Sequence, residues 1–170
     1  ESGTTGLTGT LLHLGGKKTT GRISYEVTSS FGYVSGAAIS CEDEYKDTEF
    51  CSRYANSSTS GRYQALGVFA TYNLLAQFAG DFETGGGFMY QQYSFDRLLD
   101  AENLTSSALS FCGRFDTTYP VNEWLIGAGG DFCFRAYQAG GSLNDYDDQS
   151  LSDLQIPINM HFGFVAEYRF

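Results

Sequence analysis

Charged side chains recur at short, even intervals in this chain: Arg22 with Glu26, Asp81 with Glu83, Arg114 with Asp116, Asp131 with Arg135, and Glu167 with Arg169. Guanidiniums and carboxylates at such spacing can build a network of paired ions, or they can line a narrow path for an ion. Nucleophilic catalysis asks for something else, a nucleophile with a base beside it. The chain has two histidines, His13 and His161, and His161 is followed by Phe162 and Gly163 with no nucleophile between. Four cysteines, Cys41, Cys51, Cys112 and Cys133, can form two disulfides by any of three pairings. Two acidic clusters complete the set. Glu42, Asp43, Glu44, Asp47 and Glu49 lie between Cys41 and Cys51, and Asp145, Asp147, Asp148 and Asp153 lie in SLNDYDDQSLSD. Carboxylates at alternating positions suit calcium, but the glycine and late glutamate of an EF-hand loop are missing from the second cluster, so a solvated acidic loop is the default for it. No catalytic residue, metal site or cofactor is expected.

The elements that position these groups are strands. The last fifteen residues, IPINMHFGFVAEYRF, alternate throughout: Ile156, Ile158, Met160, Phe162, Phe164, Ala166, Tyr168 and Phe170 fall on one face, with Asn159, His161, Glu167 and Arg169 on the other. Trp124 to Gln138 repeats the pattern, with Trp124, Ile126, Ala128, Phe132, Phe134 and Ala136 apolar and Asp131, Cys133 and Arg135 opposite. In Ala108 to Tyr119 the apolar row is Leu109, Phe111, Phe115 and Tyr119, and the other row is Ser110, Cys112, Arg114 and Asp116. Pro120 and Asn122 mark a turn between these two segments, which predicts a hairpin. Setting Arg114 opposite Asp131 also sets Cys112 opposite Cys133 and Phe111 opposite Phe134, so one register satisfies an ion pair and a disulfide geometry together.

Further strands are predicted over Ala76 to Gln92, with a bend or bulge at Gly85-Gly86-Gly87, and over Arg62 to Asn73, where Leu66, Val68 and Tyr72 compete with Ala65 and Phe69 for the apolar face. Phe31 to Ser40 and Arg22 to Thr28 make two more, separated at Ser29-Ser30, and Thr5 to Leu14 is the first. The expected fold is all-β, a single domain over 1–170 of eight antiparallel up-and-down strands. Short links are placed near Ser29, Leu74 and Val121. Longer ones are placed at Gly15 to Gly21, Cys41 to Ser60, Tyr93 to Ser106 and Ala139 to Gln155.

Composition narrows the class. The chain has 170 residues with 21 Gly, 12 Tyr and 14 Phe against 2 Pro, and no stretch approaches the roughly 18 apolar residues that a membrane helix needs. A formal charge of −10 argues against phosphate-mediated binding of nucleic acid. Apolar residues on only one face of each strand give a slightly negative mean hydropathy, which suits a barrel facing lipid outward. A soluble ligand-binding barrel would show the inverse polarity.

The closing segment, with Phe170, Tyr168, Ala166, Phe164 and Phe162 on one row, resembles the last strand of bacterial outer-membrane β-barrels, whose signature is a terminal Phe preceded by alternating aromatics. With eight strands the chain resembles small barrels of the OmpA membrane-domain, OmpX/Ail and opacity-protein type. The resemblance implies a transmembrane barrel in the outer membrane, in contact with its lipid and lipopolysaccharide. Both termini would be periplasmic, and Phe170, Tyr168, Phe164 and Phe162 would be read by the barrel-assembly machinery. It implies a non-enzymatic surface role, in adhesion, host interaction or envelope integrity, carried by external loops that meet an extracellular ligand. The alternative is a small-solute channel like the OmpW-type barrels. Lipid-modifying barrel enzymes resemble this chain less: their His-x-Ser pattern is absent at His161, and no amphipathic helix precedes Thr5. Such proteins carry a signal peptide, and the opening ESGTT has none of its features, which reads as a mature or trimmed chain. A bridge from Cys41 to Cys51 would hold the acidic loop, restraining it by about 3 kcal/mol.

Overall fold

Seven strands follow one another along the chain in a computed structural model that describes residues 4–40, 58–75, 80–98, 101–140 and 158–168. They are β1 (Thr4–Thr20), β2 (Ile23–Ser40), β3 (Ser58–Asn73), β4 (Asp81–Leu98), β5 (Ala101–Val121), β6 (Trp124–Gly140) and β7 (Ile158–Tyr168). Each pairs antiparallel with the next, in the order β1 to β7, in a single sheet. The sheet curls so far that side chains of the first and last strands meet across its concave face. Alternation explains why. Apolar residues every second position can be buried or placed in lipid only if the backbone stays extended, and the aromatic and β-branched content favours it.

Two connections at one end are tight. Gly21 takes a positive φ of 65° in the turn before Ile23, and Asn122 takes 55° in the turn before Trp124, a conformation that Gly and Asn tolerate. Asn73 and Asp81 lie at this same end, and Ser40, Ser58, Leu98, Ala101, Gly140 and Ile158 at the other. Residues 41–57, 76–79, 99–100 and 141–157 lie outside the described residues.

The eight-strand expectation is corrected to seven among the described residues. Ser29-Ser30 is not a link. Ser29 pairs with Leu14 and Leu66, and Ser30 with His13 and Ala65, so Arg22 to Thr28 and Phe31 to Ser40 belong to one strand. Its parity runs through unbroken, with Ser24, Thr28, Ser30 and Val34 buried and Tyr25, Val27, Phe31 and Tyr33 exposed. Seryl hydroxyls favour turns only weakly, and two neighbouring strands outweigh that preference. Gly15 to Gly21 is likewise strand as far as Thr20, and most of Tyr93 to Ser106 extends β4 and β5. An odd number of up-and-down strands puts Thr4 and Tyr168 at opposite ends of the sheet.

No bulge occurs at Gly85-Gly86-Gly87, where the β3–β4 register is regular from Asn73↔Glu83 to Phe69↔Gly87. Glycine serves close approach instead. A Cβ on Gly85 would collide with the Ala70 carbonyl, and one on Gly87 with the Val68 carbonyl. The ambiguous facing of β3 resolves cleanly: Ala65 and Phe69 are buried on the concave side, while Leu66, Val68 and Tyr72 are exposed on the convex side.

The two faces have inverted polarity. Among the most buried side chains are Gln91, Ser24, Ser30 and Ser110, together with Glu83, Arg114 and Asp131. The convex face exposes Leu12, Leu14, Val27, Leu66, Phe88, Phe111, Phe134 and Phe162. Toward the tight turns it carries Tyr25, Tyr72, Tyr119, Trp124 and Tyr168, and the Trp124 and Tyr168 rings meet edge-on at 5.1 Å.

Candidate functional site

The inward rows of the strands bring the polar groups into two ionic clusters and one neutral one. Arg114 on β5 is the hub of the first. Its Nε and Nη2 donate to Asp131 Oδ1 and Oδ2 at 2.6 and 2.9 Å, and its Nη1 lies 2.6 Å from Glu26 Oε2 on β2. The guanidinium also stacks over Phe69, 3.9 Å from the ring centroid. The hairpin register makes the bidentate pair possible: Arg114↔Asp131, with Cys112↔Cys133 and Phe111↔Phe134 beside it, as expected. Cys112 and Cys133 are bonded, with Cα atoms 4.0 Å apart. Asp116 is half-buried on the same inward row, and Arg135 is half-buried on that of β6.

Lys17 is the hub of the second cluster. Its Nζ is 2.8 Å from Glu83 Oε1 on β4 and 3.2 Å from Glu167 Oε1 on β7. Glu83 also accepts from Thr71 Oγ1 at 2.6 Å and Ser24 Oγ at 3.4 Å, so both its oxygens are engaged. Close by, Asn73 Nδ2 donates to Asp81 Oδ1 at 2.6 Å. Buried ions held this way avoid the several kcal/mol that an unpaired charge would cost.

Between these clusters and the long-connection end, the groups become neutral and aromatic. Gln91 Oε1 accepts from Ser110 Oγ at 3.2 Å and from Asn159 Nδ2 at 2.8 Å, and its Nε2 lies 3.4 Å from Met89 Sδ. Tyr63 packs against Tyr93 and His161, with ring centroids 5.0 and 5.5 Å apart. Val34, Ala65 and Phe95 complete this end. His13 Nδ1 shares a 2.7 Å hydrogen bond with Ser30 Oγ, and the His13 ring is 5.7 Å from that of His161. His161 Nδ1 lies 4.0 Å from Asp131 Oδ2.

Most of the predicted charge set therefore shares one face: Glu26, Asp81, Glu83, Arg114, Asp116, Asp131, Arg135 and Glu167. Arg22 does not. It sits exposed in the β1–β2 turn, where its Nη1 donates to the Tyr72 hydroxyl on the convex side at 3.4 Å. Tyr168, Phe164 and Phe162 lie on the convex row as expected, and the Tyr168 hydroxyl donates to Glu123 Oε2 at 2.8 Å. Cys41, Cys51, Glu42, Asp43, Glu44, Asp47, Asp145, Asp147, Asp148, Arg169 and Phe170 lie outside the described residues.

Compared with known proteins, the chain matches no family model, no curated protein and no solved structure.

Two features carry no local signal. Lys17 lies in a Gly-Gly-Lys-Lys run that looks like a connection, yet Leu11, His13, Gly15 and Lys17 continue the inward row of β1. The Ser30–His13 contact joins a turn-like Ser-Ser pair to the neighbouring strand, and only the β1–β2 register shows it. Chemically, the concave face holds two cations that each bridge two carboxylates, a disulfide and packed rings. Ser30 is 2% exposed.

Proposed function

We propose that the chain is an integral outer-membrane β-barrel protein whose role is non-enzymatic and is carried by the connections at 41–57 and 141–157. The single observation behind this reading is the inverted polarity of the sheet. A convex face of exposed Leu, Val and Phe is too large an apolar surface for a water-soluble monomer, while the concave side, apolar and aromatic toward one end, buries Glu83, Arg114, Asp131 and Gln91, groups that a soluble core seldom holds. Its dimensions fit a bilayer. Tyr25 and Tyr33, both exposed on β2, are eight residues apart, about 26 Å along the strand and about 20 Å of height at a 40° tilt. Tyr72, Tyr119, Trp124 and Tyr168 supply the aromatic belt near the tight turns, which would face the periplasm.

On this reading the partners are outer-membrane lipid and lipopolysaccharide along the convex face, the barrel-assembly machinery at β7 and the Phe170 that follows it in sequence, and an extracellular ligand at the acidic connections. The filled concave face favours a surface role over a solute channel: Arg114, Asp131, Glu26, Gln91, Met89, Tyr63 and the Cys112–Cys133 bridge occupy the space a channel would need.

Heat modifiability tests the membrane reading. Extracted in detergent, the folded protein should run at a different position on a gel when unboiled than after boiling, and should fractionate with the outer membrane. Identical mobilities together with a soluble fraction would overturn it. Exchanging 41–57 for a neutral linker should then abolish ligand binding and leave the mobility shift intact.

A further inference from the structure

Charge is divided unevenly over the convex face. β1, β2 and β3 contain one carboxylate between them, Glu26, and it points inward to Arg114. On the outward side of the same strands stands Lys18, one residue past the inward Lys17 and in the row of Leu12 and Leu14. Arg22 follows in the β1–β2 turn. Both are exposed, and among the described residues neither is paired with a carboxylate. In a chain of formal charge −10, two such cations in one hairpin are a local exception.

Register gathers them. Lys18 is directly opposite Tyr25, Thr20 is opposite Ile23, and Ile23 is opposite Tyr72 on β3. Arg22 leans over this last row, since its Nη1 donates to the Tyr72 hydroxyl at 3.4 Å. A guanidinium has several N–H donors, so most of those on Arg22 are left for another acceptor. The Tyr72 hydroxyl, which accepts here, keeps its own proton to donate. Lysine carries its ammonium on a flexible apolar stem that can lie along an apolar surface and extend toward the turn.

Farther from the turn the same strands become apolar. Beyond Lys18 and Tyr25 the next outward rows carry Val27 with Val68, then Leu14 with Leu66, all exposed. The other half of the tight-turn end has the opposite charge. There the Tyr168 hydroxyl donates to Glu123 Oε2 at 2.8 Å, so the exposed ion beside Trp124 is a carboxylate. A ligand matched to the β1–β3 side has an anionic, oxygen-rich head and apolar chains that continue along the strands.

We infer that Lys18, Arg22 and Tyr72 form a seat for the phosphate of an anionic glycerophospholipid, whose acyl chains lie along Val27, Val68, Leu14 and Leu66. The inference rests on the membrane reading and sharpens it: lipid contact is uneven around the belt, with phosphate drawn to β1–β3 and repelled at Glu123. Arginine meets two phosphate oxygens at once, and lysine adds a point charge. Position selects the lipid. The seat is at the tight-turn end, which on the membrane reading faces the periplasm, and glycerophospholipid forms that leaflet while lipopolysaccharide forms the other. Each Lys or Arg beside an anionic lipid surface strengthens binding about fivefold, so the pair together supplies about 25-fold.

The test titrates the detergent-folded protein with phosphatidylglycerol and reads the fraction carrying one lipid by native mass spectrometry. Diacylglycerol, which has the same chains and no phosphate, should bind the parent more weakly by a factor similar to that lost in K18Q/R22Q, about 25-fold. Tyr72→Phe removes one neutral hydrogen bond and should lose about twofold to fivefold. Arg62→Gln, which removes an exposed cation at the other end of β3, should bind as the parent does. Four results would each overturn the inference: equal binding by K18Q/R22Q and the parent, equal binding of the two lipids, an equal loss in Arg62→Gln, or displacement of phosphatidylglycerol by millimolar inorganic phosphate. Lipid A bound more tightly than phosphatidylglycerol, and lost in K18Q/R22Q, would also overturn it by assigning the seat to the other leaflet. The comparison of the two lipids on the parent depends on no variant folding. A parent without a mobility shift takes down the membrane reading and this inference together, whereas an intact shift with any of the five results overturns this inference alone.

Discussion

β3 and β7 have the same sequence design and opposite environments. Along β3 burial alternates without exception from Ser58 to Asn73, because strands on both sides cover each inward residue. Along β7 the inward residues Asn159, His161 and Glu167 are only half-buried, and the outward Phe164 is almost fully exposed. Alternation fixes which way a side chain points. A neighbour on each side fixes how deeply it is buried, and that is a property of the sheet.

The contrast can be broken by mutation, and the largest effect belongs at the centre. Arg114→Ala strands two carboxylates, those of Glu26 and Asp131, and should cost about 3–5 kcal/mol in urea unfolding followed by the gel mobility shift. A loss below about 1 kcal/mol would mean that the central network is no better buried than the edge. Next comes glycine. Gly87→Val drives a side chain into the Val68 carbonyl and should cost about 1–3 kcal/mol, whereas Gly16→Val on β1, where an added Cβ meets nothing within 4 Å, should stay within about 0.5 kcal/mol by the same assay. The smallest effect is at the seam. Glu167→Gln weakens one contact of a pair whose carboxylate side chain is 29% exposed, and should cost about 0–1 kcal/mol, with salt reducing the difference from the parent.

Legibility followed the same divide. The β5–β6 register could be read from the residues because two complementary pairs, Arg114 with Asp131 and Cys112 with Cys133, agreed on one alignment. Ser29-Ser30 imitates a boundary because local turn preference is a weak signal, while the row Val27, Ser29, Phe31, Tyr33 runs straight through it. Lys17 falls in the stretch Gly15 to Gly21, whose composition resembles a loop and whose strand identity as far as Thr20 comes from pairing with β2. Which inward groups meet was legible only within a hairpin. Lys17 with Glu83, or Gln91 with Asn159, depends on the curl of the whole sheet, and no local pattern encodes it.

Lys17 and Glu167 are 150 residues apart in the chain. Closing a loop of that length costs more chain entropy than closing a hairpin such as β5–β6. The contact is therefore a marker of completion: it exists only in molecules whose first and last strands have come together, whereas the Arg114–Asp131 pair needs a single hairpin.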